Sequence, residues 1–422
     1  MAHHFVLADC NNFYVSCERL FNPKIEKCPV IVLSNNDGCV VSRSQEAKRL
    51  GIKMGEPYFK IKDFCKVHKV VVHSSNYELY GDLSKRVMSI LSEMADRIEL
   101  YSIDEAFLRY SDHISPQDLY AKCLEIRRII KKWVGIPLSL GIAPTKTLAK
   151  IATDLAKKTC DAGVFDLYAA DIKKVLETYP VGDIWGIGHR LSESLYRLDI
   201  RTAWELREMD PNMIRRKMGV NMERIIWELR GVRCLELEAV LPRKNITCSR
   251  SFGEIIKEEE VLAEALSSFV NSACIRLREQ GSCTQAICVF TESVFDRLTG
   301  TRRHNSTVSR FAVATNDTPK IISEAKKCLK QLYKEGEEYK KCGVVLLDLI
   351  PEASVVPDLF LGGIDRERSR LMHLVDGINA HFGKNTLFYG AMGVDGAWRG
   401  ASDKRSSYNT TSWKHLPVAR AV

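Results

Sequence analysis

The chain has 422 residues, 45% hydrophobic and 27% charged, a globular composition that excludes wholesale disorder. At about 150 residues per domain it predicts roughly two to four domains and excludes a single small binding module. Sixty-two Lys and Arg against 53 Asp and Glu leave a net charge of +9, which favours an anionic partner without naming one.

The fourteen cysteines contain no C-x-x-C pair, which argues against zinc ribbons and leaves them as small hydrophobes in a reducing compartment. The opening residues lack a basic leader and reach a charge at Asp9, and no apolar run is long enough to span a bilayer. The expected setting is therefore cytoplasmic, with no membrane partner.

In chain order, Phe5 to Ala8 and Val30 to Leu33 read as buried strands, the second followed by the turn signal Ser34-Asn35-Asn36-Asp37-Gly38. A short helix between Arg43 and Gly51, closed by the glycine, and a strand at Val70 to Val72 come next. Apolar residues at helical spacing predict helices over Asp82 to Met94 and Leu119 to Trp133. Between them, Arg97 to Tyr110 reads as two strands flanking a tight turn at Ser102-Ile103-Asp104-Glu105. A strand at Leu138 to Ile142, a helix at Lys146 to Lys158 and a strand at Val164 to Leu167 complete an α/β layer. An all-helical region over 171–231, a linker over 232–247 and an α+β domain follow. In the last, strands Cys283 to Phe290 and Val344 to Leu349 alternate with helices near 260–279 and 319–334. The final 70 or so residues, rich in Gly, Ser, Thr and Asn, read as a docking tail.

Asp9 ends a buried strand and Asp104-Glu105 lies in a predicted turn, and charges at the ends of apolar strands need a compensating partner. Three carboxylates around a cleft form the hard-oxygen set that Mg²⁺ prefers, and two such ions can clamp the attacking and leaving oxygens of a phosphoryl transfer. An acidic turn in solvent is the alternative reading of the same pattern. Val181-Gly182-Asp183-Ile184-Trp185-Gly186-Ile187-Gly188 before an amphipathic helix has the form of a helix-hairpin-helix, in which Gly186 and Gly188 let the backbone approach a phosphate. An ordinary glycine turn between helices is the competing reading. Lys146, Lys150, Lys157 and Lys158 share one helix beside the acidic cleft, either as a solvated face or as charge for an anionic substrate.

In combination, Asp9 with Asn12-Phe13-Tyr14, the S-I-D-E turn, GIAPTKTLAK with Ala156-Lys157-Lys158, and VGDIWGIG resemble the Y-family, or translesion, DNA polymerases. LSNNDGC (33 to 39), SSNYELY (74 to 80), ELRG (228 to 231), CSRSFGE (248 to 254) and TLFYGAMG (386 to 393) are similar to the UmuC subgroup, the catalytic subunits of DNA polymerase V.

The resemblance implies a right-hand polymerase. Its palm comprises 1–21 and 78–170, its fingers 22–77, its helical thumb 171–231, its linker 232–247, its little-finger domain 248–350 and its C-terminal regulatory or partner-binding tail 351–422. It makes Asp9, Asp104 and Glu105, with the backbone carbonyl of Cys10, the ligands of two Mg²⁺ ions. Tyr14, with Phe13 beside it, becomes a steric gate that excludes a ribose 2′-hydroxyl by clash. Lys157 becomes a triphosphate contact. Cys39, Val40 and Ser42 lie over the nascent pair, and Arg250 and Arg276 are candidate DNA-backbone contacts.

This sequence has Gln45 and Lys48 where family members often carry Tyr and Arg, so Lys48 offers a point charge without Arg's fork. Leu359 and Phe360 match the end of a sliding-clamp peptide, with Val356 in place of its usual Gln. The implied activity is error-prone translesion synthesis in a bacterial SOS response, from deoxynucleoside triphosphates (dNTPs) on primer–template DNA. A cleaved UmuD-type dimer, a RecA filament and a sliding clamp are the implied partners, with association to the nucleoid during activity. Two rivals remain at this level: a nucleotide cyclase, which has no need of a helix-hairpin-helix, and a non-catalytic DNA-binding scaffold, which has no need of the acidic set.

Overall fold

The computed structural model describes residues 3–111, 113–238, 241–295, 301–356, 366–394, 396, 398, 400, 402–416 and 418. The chain divides into two compact units, one formed by Met1–Ser34, Gly38–Ala239 and Asp403–Val422, the other by Asn35–Asp37 and Val240–Ser402.

The first unit is organised around a five-stranded sheet in the order Arg97–Leu100, Glu105–Ser111, His3–Cys10, Leu138–Ala143, Val164–Asp166. Its central strand, His3–Cys10, pairs antiparallel with both neighbours. That strand is apolar almost throughout because both faces are covered. Val6, Ala8 and Cys10 enter a core shared with helices Tyr77–Met94 and Pro116–Trp133. Phe5 and Leu7 enter a second core with helix Lys146–Thr159 and the helical region beyond it. Gly141 permits this packing, since a Cβ there would collide with the Thr153 backbone of the covering helix. The Thr153 hydroxyl donates to the Leu7 carbonyl at 3.1 Å.

A smaller sheet of Val40–Arg43, Val30–Leu33 and Val71–Ser74 carries its own core of Ile31, Leu33, Val40, Ala47, Ile52, Ile61, Cys65 and Val70. Helices Ile172–Thr178, His189–Tyr196, Ala203–Glu208, Pro211–Met218 and Val220–Leu229 form the helical region. The ELRG segment acquires a physical role here. Glu228 is fully buried, and its carboxylate accepts from the backbone N–H groups of Thr147 at 3.1 Å, Cys234 at 2.7 Å and Leu235 at 3.1 Å. One side chain thus joins three segments, and backbone donors satisfy its charge.

The second unit is a four-stranded antiparallel sheet in the order His304–Thr315, Ser282–Ser293, Tyr339–Pro351, Ile246–Ile256, packed with helices Glu259–Glu279 and Thr318–Leu332. The two outer strands are absent from the sequence reading. His304–Thr315 is a polar, one-sided edge strand, and its apolar alternation is too weak to stand out.

The C-terminal region also differs from a simple tail. Helix Arg366–Phe382 is anchored in the second unit by Arg278, whose Nε and Nη2 fork onto Asp376 at 2.6 and 2.9 Å. Nη1 of the same guanidinium donates to the Asn316 carbonyl and the Thr318 hydroxyl, each at 2.8 Å. Met372 and Trp398 are buried, and Trp398 meets Phe269 edge-on at 5.3 Å. Low hydrophobic periodicity masks a segment held by that fork, by a second from Arg368 onto Asp317, and by buried Met372 and Trp398. No helix among the described residues is long and apolar enough to cross a membrane.

Candidate active site

Asp9 and Glu105 are register partners at the ends of the two central strands, so strand pairing itself sets their carboxylates side by side. Glu105 is the first residue of its strand rather than part of the turn, which spans Tyr101 to Asp104. The Ser102 hydroxyl organises that turn, accepting from the N–H groups of Asp104 at 3.2 Å and Glu105 at 3.0 Å and donating to Asp104 Oδ1 at 2.6 Å. The Cys10 N–H donates to the Asp104 carbonyl at 2.9 Å, tying the turn to the end of the central strand.

Two lysines from helix Lys146–Thr159 close on this pair. Lys157 Nζ lies 2.5 Å from Asp9 Oδ2, and Lys150 Nζ lies 2.8 Å from Glu105 Oε1. Burial pushes the Asp9 carboxyl up to about 7, against the pull of Lys157 and with a further upward push from its hydrogen bond to Glu105. Burial acts upward on Glu105 as well, but its hydrogen bonds to Asp9 and Lys150 and the lysine charges outweigh it and hold the group below its ordinary value. Burial, then Asp9 and Asp104, raise the Cys10 thiol far above its ordinary value, so its backbone oxygen is the group fit to act as a ligand.

The four lysines noted in the sequence separate here. Lys146 is buried against Glu99 at 2.6 Å, and Lys158 pairs with Asp154 on the surface at 2.7 Å. Only Lys150 and Lys157 face the carboxylates. They line a cleft of about 430 Å³ together with Asp9, Glu105, Asp154 and Trp185.

Helix Phe13–Phe21 follows directly from the central strand through Asn12, which takes the left-handed conformation at φ 46° and turns the chain. Phe13 is buried as an anchor, whereas Tyr14 is half-buried and stacks on Tyr80 with centroids 4.4 Å apart and planes at 15°. Tyr77 meets the Tyr14 ring edge-on at 6.0 Å. Burial, with Tyr77 and Asp104 nearby, pushes the Tyr14 phenol up to about 12, so it stays neutral.

From the small sheet, Ser42 is buried on strand Val40–Arg43 and Lys48 is exposed on helix Gln45–Arg49. Lys48 is lowered by burial and by the positive charges of Arg43 and Lys157, while Asp9 acts in the opposite sense. These couplings place three cations and Asp9 in one electrostatic neighbourhood. Arg43 was missing from the sequence reading. Its guanidinium donates to the Ile52 carbonyl, and only its place next to Ser42 gave a hint of it.

Gly186 has φ 91°, and Gly188 precedes helix His189–Tyr196 without supplying a side-chain cap. Trp185 donates from Nε1 to the Tyr101 hydroxyl at 2.9 Å, and Lys150 sits over the Tyr101 ring at 4.3 Å. This aromatic bridge joins the hairpin to the acidic turn. Its partners lie 84 residues apart, beyond what local pattern reveals. In the second unit Arg250 and Arg276 are exposed, and both act on the Cys248 thiol, which burial raises and they lower. Leu359 and Phe360 lie outside the described residues.

Among solved structures, a Y-family DNA polymerase chimera of Dbh and Dpo4 matches with a TM-score of 0.67 at 21% identity, over 82% of this chain and 99% of that one. An insertion ternary complex of Dbh DNA polymerase matches with a TM-score of 0.54 and the same coverage. The fold is therefore that of the Y-family DNA polymerases.

Residues 8–154 match the impB/mucB/samB family, 243–359 its C-terminal domain, and 369–419 a domain of unknown function. Protein UmuC of Salmonella typhimurium is 41% identical over 98% of this chain and 99% of its own length. Protein ImpB of the same organism is 38% identical over 99% of both. DNA polymerase IV of Oceanobacillus iheyensis is 25% identical over 90% of this chain. The chain belongs to the impB/mucB/samB family, the UmuC-like branch of the Y-family DNA polymerases.

Proposed function

We propose that this chain extends primers past damaged template bases with low fidelity during a bacterial DNA-damage response. As a member of its family it is a DNA-directed DNA polymerase. The observation that carries the site assignment is the register pairing of Asp9 with Glu105, with Lys48 and Lys157 converging from two elements.

The donor set fits divalent metal. Asp9 and Glu105 crowd two carboxylates into a buried corner that raises Asp9, the Cys10 carbonyl adds a hard oxygen, and Asp104 completes the set from the adjoining turn. As they stand, no three His, Cys, Asp or Glu side chains among the described residues converge as a metal cluster, and Asp104 is engaged by Ser102. Two Mg²⁺ ions held there would polarise the primer 3′-hydroxyl and offset the charge of the triphosphate. The hydroxyl oxygen forms a bond to the α-phosphorus as the bond to the bridging β-phosphate oxygen breaks, and pyrophosphate leaves. Lys48 and Lys157 neutralise the triphosphate, Phe13 and Ser42 shape the pocket, and Tyr14 leaves no room for a 2′-hydroxyl.

The palm takes 1–21 and 78–170, the fingers 22–77, the thumb 171–231 and the little finger 248–350, with the rest as linker and partner-binding region. Gly186 and Gly188 grip a phosphate and Arg250 the duplex backbone, without reading sequence. A cleaved UmuD-type dimer and a RecA filament are the proposed activators, and a sliding clamp is a further partner through Leu359 and Phe360. The test is primer extension on an abasic template with Mg²⁺, with and without those activators. Extension past the lesion that depends on Asp9 and Glu105 is expected, and lesion arrest under every condition refutes the reading.

A further inference from the structure

The described residues 403–416 belong to the first unit, and the chemistry proposed above uses none of them. Arg405 forms a parallel bridge with Ser74 at the end of strand Val71–Ser74. The Ser74 N–H donates to the Lys404 carbonyl at 3.1 Å, and the Lys404 N–H donates to the Ser74 hydroxyl at 3.1 Å. Asn76 is buried and its amide faces both ways. Its Oδ1 caps helix Tyr77–Met94 by accepting from Leu79 N–H at 3.4 Å. Its Nδ2 donates to the Ser406 carbonyl at 3.3 Å, the Ser406 hydroxyl at 3.0 Å and the Ser407 carbonyl at 3.1 Å.

From Ser406 the connection continues inward. Its hydroxyl donates to Glu18 Oε1 at 3.2 Å, and the same oxygen accepts from the Tyr80 hydroxyl at 2.6 Å. Glu18 is 3% exposed, and a carboxylate so buried depends on each donor it has. Tyr80 is fully buried, and its ring is the surface on which Tyr14 stacks. Three contacts therefore run from the C-terminal segment through Ser406, Glu18 and Tyr80 to the ring of Tyr14.

We propose that residues 404–407 are a positioning strap for the sugar gate, holding Tyr80, and the Tyr14 ring stacked on it, at the height that excludes a ribose. The inference rests on the reading of Tyr14 as that gate. A filter that works by clash is only as selective as its ring is fixed, because a small recession opens the space a 2′-hydroxyl needs. Loosening the strap thus admits ribonucleotides while leaving deoxynucleotide insertion nearly untouched. Ser406, Asn76 and Glu18 are positioning residues in this scheme, for none of them meets the nucleotide.

The test is single-nucleotide insertion by the full chain, assembled with its activators, comparing kcat/KM for a deoxynucleotide and the matching ribonucleotide. Ser406→Ala is expected to lower sugar discrimination about fivefold, the partial transmission of one lost hydrogen bond to a buried charge, through a lower ribonucleotide KM. Ser406→Thr keeps the hydroxyl and restores discrimination. A chain ending at residue 402 loses at least as much as Ser406→Ala, and Ser406→Ala adds nothing on a Tyr14→Ala background, because the two act on one element. Unchanged discrimination in Ser406→Ala, with a collapse in Tyr14→Ala, overturns the strap and leaves the gate. Unchanged discrimination in Tyr14→Ala overturns the gate and the strap with it.

Discussion

Glu228 offers a quantitative test of how helix Lys146–Thr159 is held. Its carboxylate is fully buried and accepts three backbone N–H groups, two on one oxygen from Cys234 and Leu235 and one on the other from Thr147. Glu228→Gln keeps one acceptor oxygen but turns an amide N–H₂ toward Thr147, setting donor against donor; the expected cost is about 2 kcal/mol. Glu228→Ala orphans all three donors, at about 1–3 kcal/mol each when taken singly and less than the sum together, so about 3–5 kcal/mol is expected. Urea unfolding followed by the fluorescence of Trp185, Trp204 and Trp227, all in the helical region, reads this as a shift of midpoint. The alanine variant must fall further than the glutamine variant. Equal stability of both, or a loss below about 0.5 kcal/mol in Glu228→Ala, refutes the claim that this carboxylate joins the three segments.

Asp104→Ala is expected to abolish primer extension while leaving DNA affinity, read by fluorescence anisotropy, within about twofold, since phosphate contacts carry most of the binding. Tyr14→Ala is expected to raise ribonucleotide incorporation by about tenfold or more, scored as alkali-labile sites in the product, the outcome that the proposed gate by clash requires. Gly186→Ala forces a side chain into φ 91° with its Cβ 3.2 Å from Ile225, and DNA affinity drops severalfold for every sequence alike. A sequence-dependent loss in that variant contradicts the phosphate-gripping hairpin.

Much of this architecture is legible along the chain. The apolar runs at Phe5 to Ala8, Val30 to Leu33 and Leu138 to Ile142 become buried strands, because a strand covered on both faces carries no polar alternation to confuse the pattern. The Asp9 and Asp104-Glu105 positions are also readable, since charge ending an apolar strand is conspicuous. What sequence could not reveal depends on partners far apart in the chain. The Trp185–Tyr101 bridge, the Lys146–Glu99 pair that removes one lysine from the cleft, and the Arg278–Asp376 fork each join residues with no local signature. Helix Arg366–Phe382 escaped for a related reason: several of its apolar residues, among them Leu371, Leu374 and Phe382, stay exposed. Its amphipathic pattern is correspondingly weak.

The strap at 404–407 also bears on biosynthesis. Lys404 meets Ser74 across 330 residues, so during translation the edge of the small sheet forms long before the segment that covers it emerges. Until then the backbone beside Ser74 is an open strand edge, the kind of surface that recruits other chains. Proteolytic loss of the terminal residues would re-create that state in a finished molecule. Such clipping would leave the carboxylates in place and yield an enzyme that still copies DNA but polices its sugars poorly.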